Sequence, residues 1–258
     1  MATFDPITSL SNDWNAFLAA FSALFHCHAT LWSVDIQHTG ITQSNLMWDC
    51  GSAMPRLCDF DFSDEPGSLR PKPLKMGCLA GSPNAGKWIF MAAELLSLDA
   101  MDGLVKLVYR HEVEAFMAVL VWIICRYQDG KVRVSPPLGE WIQTDYLQCR
   151  ERRRRTFSQI IMGIFPQPSG IPPDIWVPLR MALASMRKHS QDAIEAQKGE
   201  AEYKSFVAFD PDFAFDGRSP DDYNSLRALP KILTWSIFKH KAAKKFIGLV
   251  TERIPKSL

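Results

Sequence analysis

The segment from His111 to Tyr127 constrains the fold most, because apolar residues occupy every face of the helix that it predicts. Its uninterrupted apolar run, Ala115 to Cys125, is too short to cross a bilayer, since a membrane helix needs about 20 apolar residues. A helix that is apolar all round has to be surrounded by protein. The sequence therefore predicts a mainly α fold of the α+β type, with this helix at its centre.

Other elements are predicted around this central helix. Apolar residues recur at helical spacing from Trp14 to about Val34, after the candidate capping residues Ser11, Asn12 and Asp13. Two short apolar runs between residues 46 and 58 flank the turn Asp49-Cys50-Gly51, which is typical of a β-hairpin. A loop rich in Pro, Gly and Ser is expected from Glu65 to Gly86. Further helical segments are predicted at about Ala92–Leu98, Leu138–Met162, Trp176–Lys198 and Asn224–Arg253.

The distribution of charge and cysteine gives an expectation for the compartment. No Lys or Arg precedes Arg56, so the apolar stretch Ala16 to Phe25 lacks the basic leader of a secretory signal. We expect an intracellular protein, cytoplasmic or nuclear, with no membrane span. The six cysteines are then expected to be reduced thiols. His26 and His28 would point to different faces of the first helix, which argues against a metal site there.

An ordered set of polar residues stands between the first helix and the long loop. His38-Thr39-Gly40 is followed by Asn45, and Asp59-Phe60-Asp61 comes after the predicted hairpin. Protein kinases carry H-R-D-x-x-x-x-N and then D-F-G, in which the first Asp is the catalytic base and the Asn and the later Asp hold metal ions. Each fragment alone is a weak signal, but the order and spacing of the set resemble the kinase arrangement.

Two downstream segments narrow the resemblance. Gly86–Leu96, GKWIFMAAELL, looks like the segment G-T-W-x-F-M-A-x-E-L-L of the fungal-type protein kinase family. Tyr109–Phe116, YRHEVEAF, is similar to the family's Y-R-H-D-L-E-S-F, and Pro136-Pro137-Leu138 with Trp141 also fits. Over residues 36 to 145 the chain therefore resembles this family. The resemblance implies a kinase-like C-terminal lobe with one or two small β-hairpins, with its core in residues 1–165 and completing helices in residues 166–258.

The resemblance also implies roles for single residues. Asn45 and Asp59 match the positions that bind the metal and the nucleotide, so Mg²⁺ and ATP are the implied cofactors, bound weakly or lost. Gly40 occupies the position of the catalytic base, beside His38, and leaves no intact catalytic residue. Losing a positioned general base costs roughly 10²–10⁴-fold in rate. The expected function is a pseudokinase module that acts through protein partners. The alternative is part of an ATP-dependent Ser/Thr kinase with residual or partner-assisted activity.

The N-terminal lobe of a kinase has no counterpart in the sequence pattern. Kinases cover ATP with a glycine-rich loop and a strand lysine. No glycine-rich loop precedes the first predicted helix, and the first lysine is Lys72. We therefore expect the N-terminal lobe to be absent and a normal ATP cleft not to form.

Three other patterns in the sequence indicate different functions, each with a weaker signal. Gly81 to Lys87 nearly spells a P-loop, but Trp88 stands where Ser or Thr would hold magnesium. The basic run Arg150 to Arg155 can contact nucleic acid, although a solvated face that meets a protein partner is the expected role. The acidic stretch around 210–222 lacks the Gly and Glu of a calcium-binding loop. A kinase-like protein with a protein partner remains the favoured interpretation.

Overall fold

The computed structural model describes residues 4–34, 36–60, 88–143, 145–206, 225 and 228–230. In this part of the chain the fold is mainly helical with two small antiparallel sheets, as the sequence predicts. The helices are α1 (Trp14–Ser33), α2 (Leu98–Met101), α3 (Tyr109–Arg126), α4 (Tyr146–Met162) and α5 (Pro173–Phe206). The strands are β1 (Phe4–Pro6), β2 (Leu46–Asp49), β3 (Met54–Leu57), β4 (Tyr127–Gln128) and β5 (Lys131–Val132).

Helix α3 is the central element, as its composition predicts. Apart from Glu114, every residue from Tyr109 to Cys125 is buried. The rings of Phe21 and Phe25 from α1 meet Phe116 edge to face, with centroids 5.8 and 5.4 Å apart. Burial of large aromatic side chains dominates the energetics of a core, so the α1–α3 contact stabilises the fold strongly.

Helix α1 confirms the prediction for residues 14 to about 34. The carboxylate of Asp13 accepts hydrogen bonds from the backbone N–H groups of Asn15 and Ala16, at 3.0 and 3.1 Å. These bonds satisfy N–H groups that have no partner inside the helix, and such a cap is worth about 1 kcal/mol.

By length and hydropathy, α1 is also a helix that can cross a membrane. In the structure 61% of its most apolar window is buried against the rest of the protein. The core helix of a globular protein can have the same length and hydropathy. This weak signal is therefore compatible with the expectation that the chain has no membrane-spanning helix.

The predicted hairpin at residues 46–58 is confirmed by β2 and β3. Asp49 fixes the turn, because its carboxylate accepts from the backbone of Gly51 at 3.0 Å and from the hydroxyl of Ser52 at 2.6 Å. Strand β1 pairs antiparallel with the other edge of β2 and makes a three-stranded sheet. The sequence prediction missed β1, since three residues that end in a proline show no period.

The predicted helix Ala92–Leu98 is wrong, and the predicted segment Leu138–Met162 is confirmed only in part. Residues 92 to 97 form turns, and α2 begins at Leu98 behind its cap Ser97. The backbone N–H of Ala93 donates to the carboxylate of Glu114 at 2.8 Å, so the turns of this segment are held against α3. The segment Leu138–Met162 is also divided, into a 3-10 helix at Gly139–Trp141 and α4, which starts after its cap Asp145.

Helix α5 is longer than the predicted segment Trp176–Lys198 at both ends. Its residues Leu179, Ala182 and Leu183 are fully buried and belong to the same hydrophobic cluster as α3. The proposed division at residue 165 stays a prediction.

Residues 228–230 of the predicted helix Asn224–Arg253 are helical. Residue 225 is helical too, and the other residues of that helix lie outside the described part of the chain, as do the 65–86 loop, residues 81–87 of the near-P-loop and the acidic stretch around 210–222.

Candidate functional site

His38 joins the loop after α1 to the end of the hairpin. Its Nε2 lies 2.8 Å from the carbonyl oxygen of Cys58, and its Nδ1 accepts from the backbone N–H of Gly40 at 3.3 Å. A carbonyl can only accept, so Nε2 carries the proton and Nδ1 is the unprotonated acceptor. Burial lowers the pKa of His38, against the opposing effect of the Cys58 carbonyl, which agrees with a neutral ring.

Asn45 closes the same loop from its other end. Its side-chain amide nitrogen donates to the carbonyl oxygen of Gly40 at 2.7 Å. The backbone carbonyl of Asn45 accepts from the N–H of Cys58 at 2.9 Å. Asn45 is nearly buried, at 7% exposure, so these hydrogen bonds are shielded from water. Gly40 is thus held from both sides, by His38 and by Asn45.

Asp59 follows Cys58 directly. It is therefore next in the chain to the residue whose backbone contacts both His38 and Asn45. Its side chain is exposed, and the ring of Phe60 lies against His38 with centroids 4.6 Å apart. The structure thus brings His38, Gly40 and Asn45 into one hydrogen-bonded loop, and Asp59 is next to Cys58, the residue after β3 that anchors this loop.

Two residues of this region have a left-handed backbone. Thr39 has a φ of 59° and Asp59 has a φ of 66°. Left-handed conformations are uncommon for residues other than glycine, least so for Asp, and cost about 1–3 kcal/mol each. Such residues persist where surrounding contacts over-determine them and cluster at functional sites. In this loop the flanking bonds of His38 and Asn45 supply those contacts.

Below the loop, His28 of α1 and Glu112 of α3 form a buried contact. Nε2 of His28 lies 3.3 Å from Oε2 of Glu112, and both side chains are almost completely buried. The ring of His28 also stacks on Tyr109, with centroids 5.8 Å apart. This contact links the two core helices beneath the loop. In the sequence, His28 was considered only as a metal ligand, and that role was rejected. The pairing of His28 with Glu112 was not predicted.

The two downstream segments that carry the family resemblance are in contact with each other. Glu94 of the first segment accepts hydrogen bonds from Arg110 and from Nε2 of His111, the latter at 3.1 Å, both in α3. Burial alone would raise the pKa of Glu94, but the bonds from His111 and Arg110 lower it to about 2. Glu94 is therefore ionised at neutral pH and ties the segment before α2 to the first turn of α3.

Arg153 makes a second attachment and corrects the expectation for the basic run. The side chain of Arg153 is fully buried, whereas the run was expected to be a solvated face. Its guanidinium donates to the carbonyl of Ile89 at 2.9 Å and to the carboxylate of Glu114 at 3.1 Å. Arg152, Arg154 and Arg155 are exposed, as expected. The periodicity of α4 contains the signal that was missed, because Arg153 shares a face with the buried Cys149, Phe157 and Ile160.

The donor set around the loop can be compared with the needs of a magnesium–nucleotide complex. The amide nitrogen of Asn45 donates to Gly40, and its Oδ1 accepts from the Ser44 hydroxyl at 3.2 Å and has a second lone pair for another partner. With the exposed carboxylate of Asp59 this gives two oxygen donors, the type that Mg²⁺ prefers. No cluster of three or more His, Cys, Asp or Glu ligands occurs among the described residues. These oxygens are of the type that a magnesium ion takes when phosphate and water supply its remaining ligands.

No protein-family model, curated protein or solved structure matches the chain. The family resemblance accordingly rests on the residues quoted above.

Proposed function

We propose that the chain is a kinase-like module of the fungal-type protein kinase family, built as a C-terminal lobe, that lacks phosphotransfer and acts through protein partners. The hydrogen bond from the Asn45 side chain to the Gly40 carbonyl carries the proposal. It supports an ordered loop in which a glycine stands where the family has its catalytic base. A glycine has no side chain that can accept a proton from a substrate hydroxyl.

The proposal assigns Asn45 and Asp59 a role in holding magnesium and the phosphates of ATP. Bound there, the metal neutralises phosphate charge. Asn45 offers Oδ1 because its nitrogen is occupied, and Asp59 offers an exposed carboxylate. His38 acts through the backbone by fixing Gly40 and the strand end before Asp59. It is a positioning residue, not a proton acceptor for the substrate, because its Nδ1 already accepts from Gly40.

A phosphotransfer assay tests the proposal. Purified wild type and Asp59→Ala are incubated with MgATP labelled on the γ-phosphate, and transfer to the protein itself and to casein is measured. We expect equal, background transfer by the two proteins. Transfer by the wild type that Asp59→Ala abolishes would refute the loss of activity.

Partner-assisted kinase activity is the second candidate function, and the left-handed backbone at Thr39 and Asp59 favours it. The described glycines with positive φ are Gly103, Gly130, Gly163 and Gly170, so aspartate can adopt the backbone conformation of Gly40. The test compares wild type and Gly40→Asp recovered from the same cells with their partners bound. Higher transfer by Gly40→Asp supports assisted activity, and equal transfer argues against it.

A further inference from the structure

Helices α4 and α5 lie side by side and antiparallel. Arg187 of α5 donates to the hydroxyl of Ser158 at 2.9 Å. Seven residues earlier on α5, Arg180 donates to the carbonyls of Ile160 and Ile161 near the end of α4, at 2.9 and 3.2 Å. As residue numbers rise along α4 they fall along α5. The C-terminal end of α4 therefore lies beside the N-terminal part of α5.

At that end the outer surface is apolar. Met162 of α4 is 61% exposed, and Val177 and Met181 of α5 are 46% and 60% exposed. Met162 precedes Gly163, where an added Cβ would lie 2.6 Å from the guanidinium of Arg180. Met162 and Met181 thus lie on either side of one close contact between the helices. Exposed apolar residues gathered in one place mark interaction sites more often than scattered ones do.

At the other end the same surface is basic. Arg154, Ser158 and Met162 are spaced four residues apart, so they form one ridge of α4. Lys188 follows Met181 by two turns on α5 and lies next to Arg187. The ion pairs of α4 use Arg150 and Arg153, and within the described residues no carboxylate pairs with Arg154 or Lys188. Asp192, one turn beyond Lys188, lies at the margin of this end.

We propose that this surface, the α4–α5 face, binds an amphipathic peptide segment of a partner protein. The face consists of Arg154, Ser158, Met162, Val177, Met181 and Lys188. Charge complementarity places Asp or Glu residues of the peptide over the basic end and Leu, Met or Phe residues over the apolar end. Methionine suits such a site because its flexible side chain adapts to different apolar partners. A nucleic acid is a poorer match, since the apolar half of the face has no positive charge or hydrogen-bond donor for its phosphates.

This inference rests on the interaction role proposed above. Its test uses no nucleotide, so peptide binding at the α4–α5 face and the proposed kinase-like function can fail separately. A library of random peptides is selected on the full chain, and enriched peptides are titrated against variants. We expect the peptides to combine acidic and apolar residues. Their affinity should fall about tenfold or more with Arg154→Glu and with Met181→Ser, a change in Kd that the titration resolves easily. Arg152→Glu is the matched control, because Arg152 is equally basic and exposed but lies on another face of α4.

The variants change exposed side chains, so thermal unfolding of each should match the wild type and exclude misfolding as the cause. The proposal is overturned if no peptide is enriched, or if Arg152→Glu weakens binding as much as Arg154→Glu. Preferential binding to anionic vesicles or to duplex DNA over every selected peptide would overturn it too. So would binding that appears only when Asp210, Asp212 and Asp216 are changed to Asn, because the chain's own acidic stretch would then be the occupant.

Discussion

The side-chain amide of Asn45 donates a hydrogen bond of 2.7 Å to the backbone carbonyl of Gly40. This bond crosses the loop at the position where the resemblance places a catalytic base. It ties the residue that would hold a metal to the residue that lacks a carboxylate. The loop is therefore held by hydrogen bonds that need no side chain at position 40, and these bonds can be tested one at a time.

Asn45→Ala should destabilise the protein by about 0.5–1.5 kcal/mol, because it removes the hydrogen bond from the Asn45 side chain to the part-buried carbonyl of Gly40. Urea unfolding of the wild type and the variant measures the change. Ser44→Ala is the control, since it removes a longer bond of 3.2 Å from a hydroxyl to the same side chain. The Ser44 variant should lose much less. Equal losses of unfolding free energy in the two variants would show that the bond to Gly40 does not stabilise the loop more than the Ser44 bond does.

The stability of the protein should fall as the pH drops below about 6.5, the ordinary pKa of histidine. Burial lowers the pKa of His38, so the unfolded chain takes up a proton more readily than the folded one. Stability from neutral His38 is therefore complete above the unfolded pKa and is lost as the pH falls toward the folded pKa. Glu112 and Asp59 oppose this shift, and His28 adds to it.

Unfolding measured between pH 8 and pH 5 checks this prediction, with His38→Gln as the comparison. Glutamine keeps a donor for the Cys58 carbonyl but does not titrate. Burial also lowers the pKa of His26, which contributes equally in both proteins, so the difference isolates His38. The wild type should lose stability more steeply than His38→Gln. Parallel curves would mean that His38 does not resist protonation.

Arg153→Met should cost about 3–5 kcal/mol, because it strands the mostly buried carboxylate of Glu114 without its guanidinium partner. Arg155→Met is the matched control and should change stability by no more than about 0.5 kcal/mol, since Arg155 is exposed. Chemical unfolding of both proteins gives the comparison. Adding Glu114→Gln to Arg153→Met should recover part of the loss by removing the unpaired charge. Equal effects of the two arginine changes would contradict the anchoring role of Arg153.

The central helix, α1 and the hairpin could be predicted from the sequence because each has a strong local signal. Residues 111–127 are apolar on all faces, Asp13 caps α1, and Asp49 starts a turn. The segment after Trp88 could not, since its shape depends on distant residues: Glu114 accepts from the N–H of Ala93, and Glu94 accepts from Arg110 and His111. Distant partners of this kind override local helix preference.

The candidate site shows the same division. The spacing of His38, Asn45 and Asp59 was visible in the sequence, and the structure adds the contacts that join His38 and Asn45. The part played by Cys58 could not be found, because it acts only through its backbone N–H and carbonyl. Arg153 was misjudged because its neighbours Arg152, Arg154 and Arg155 gave the whole run the appearance of a solvated face. Its partner Glu114 lies 39 residues away along the chain.

The thermal stability of the wild type and of Asp59→Ala, each with and without MgATP, tests the account most directly. A ligand that binds only the folded state raises its stability, by about 1.4 kcal/mol at about ten times its Kd. The account predicts a rise in the melting temperature of the wild type with millimolar MgATP and no rise for Asp59→Ala. An unchanged wild type, or equal rises in both proteins, would contradict a metal–nucleotide site at Asn45 and Asp59.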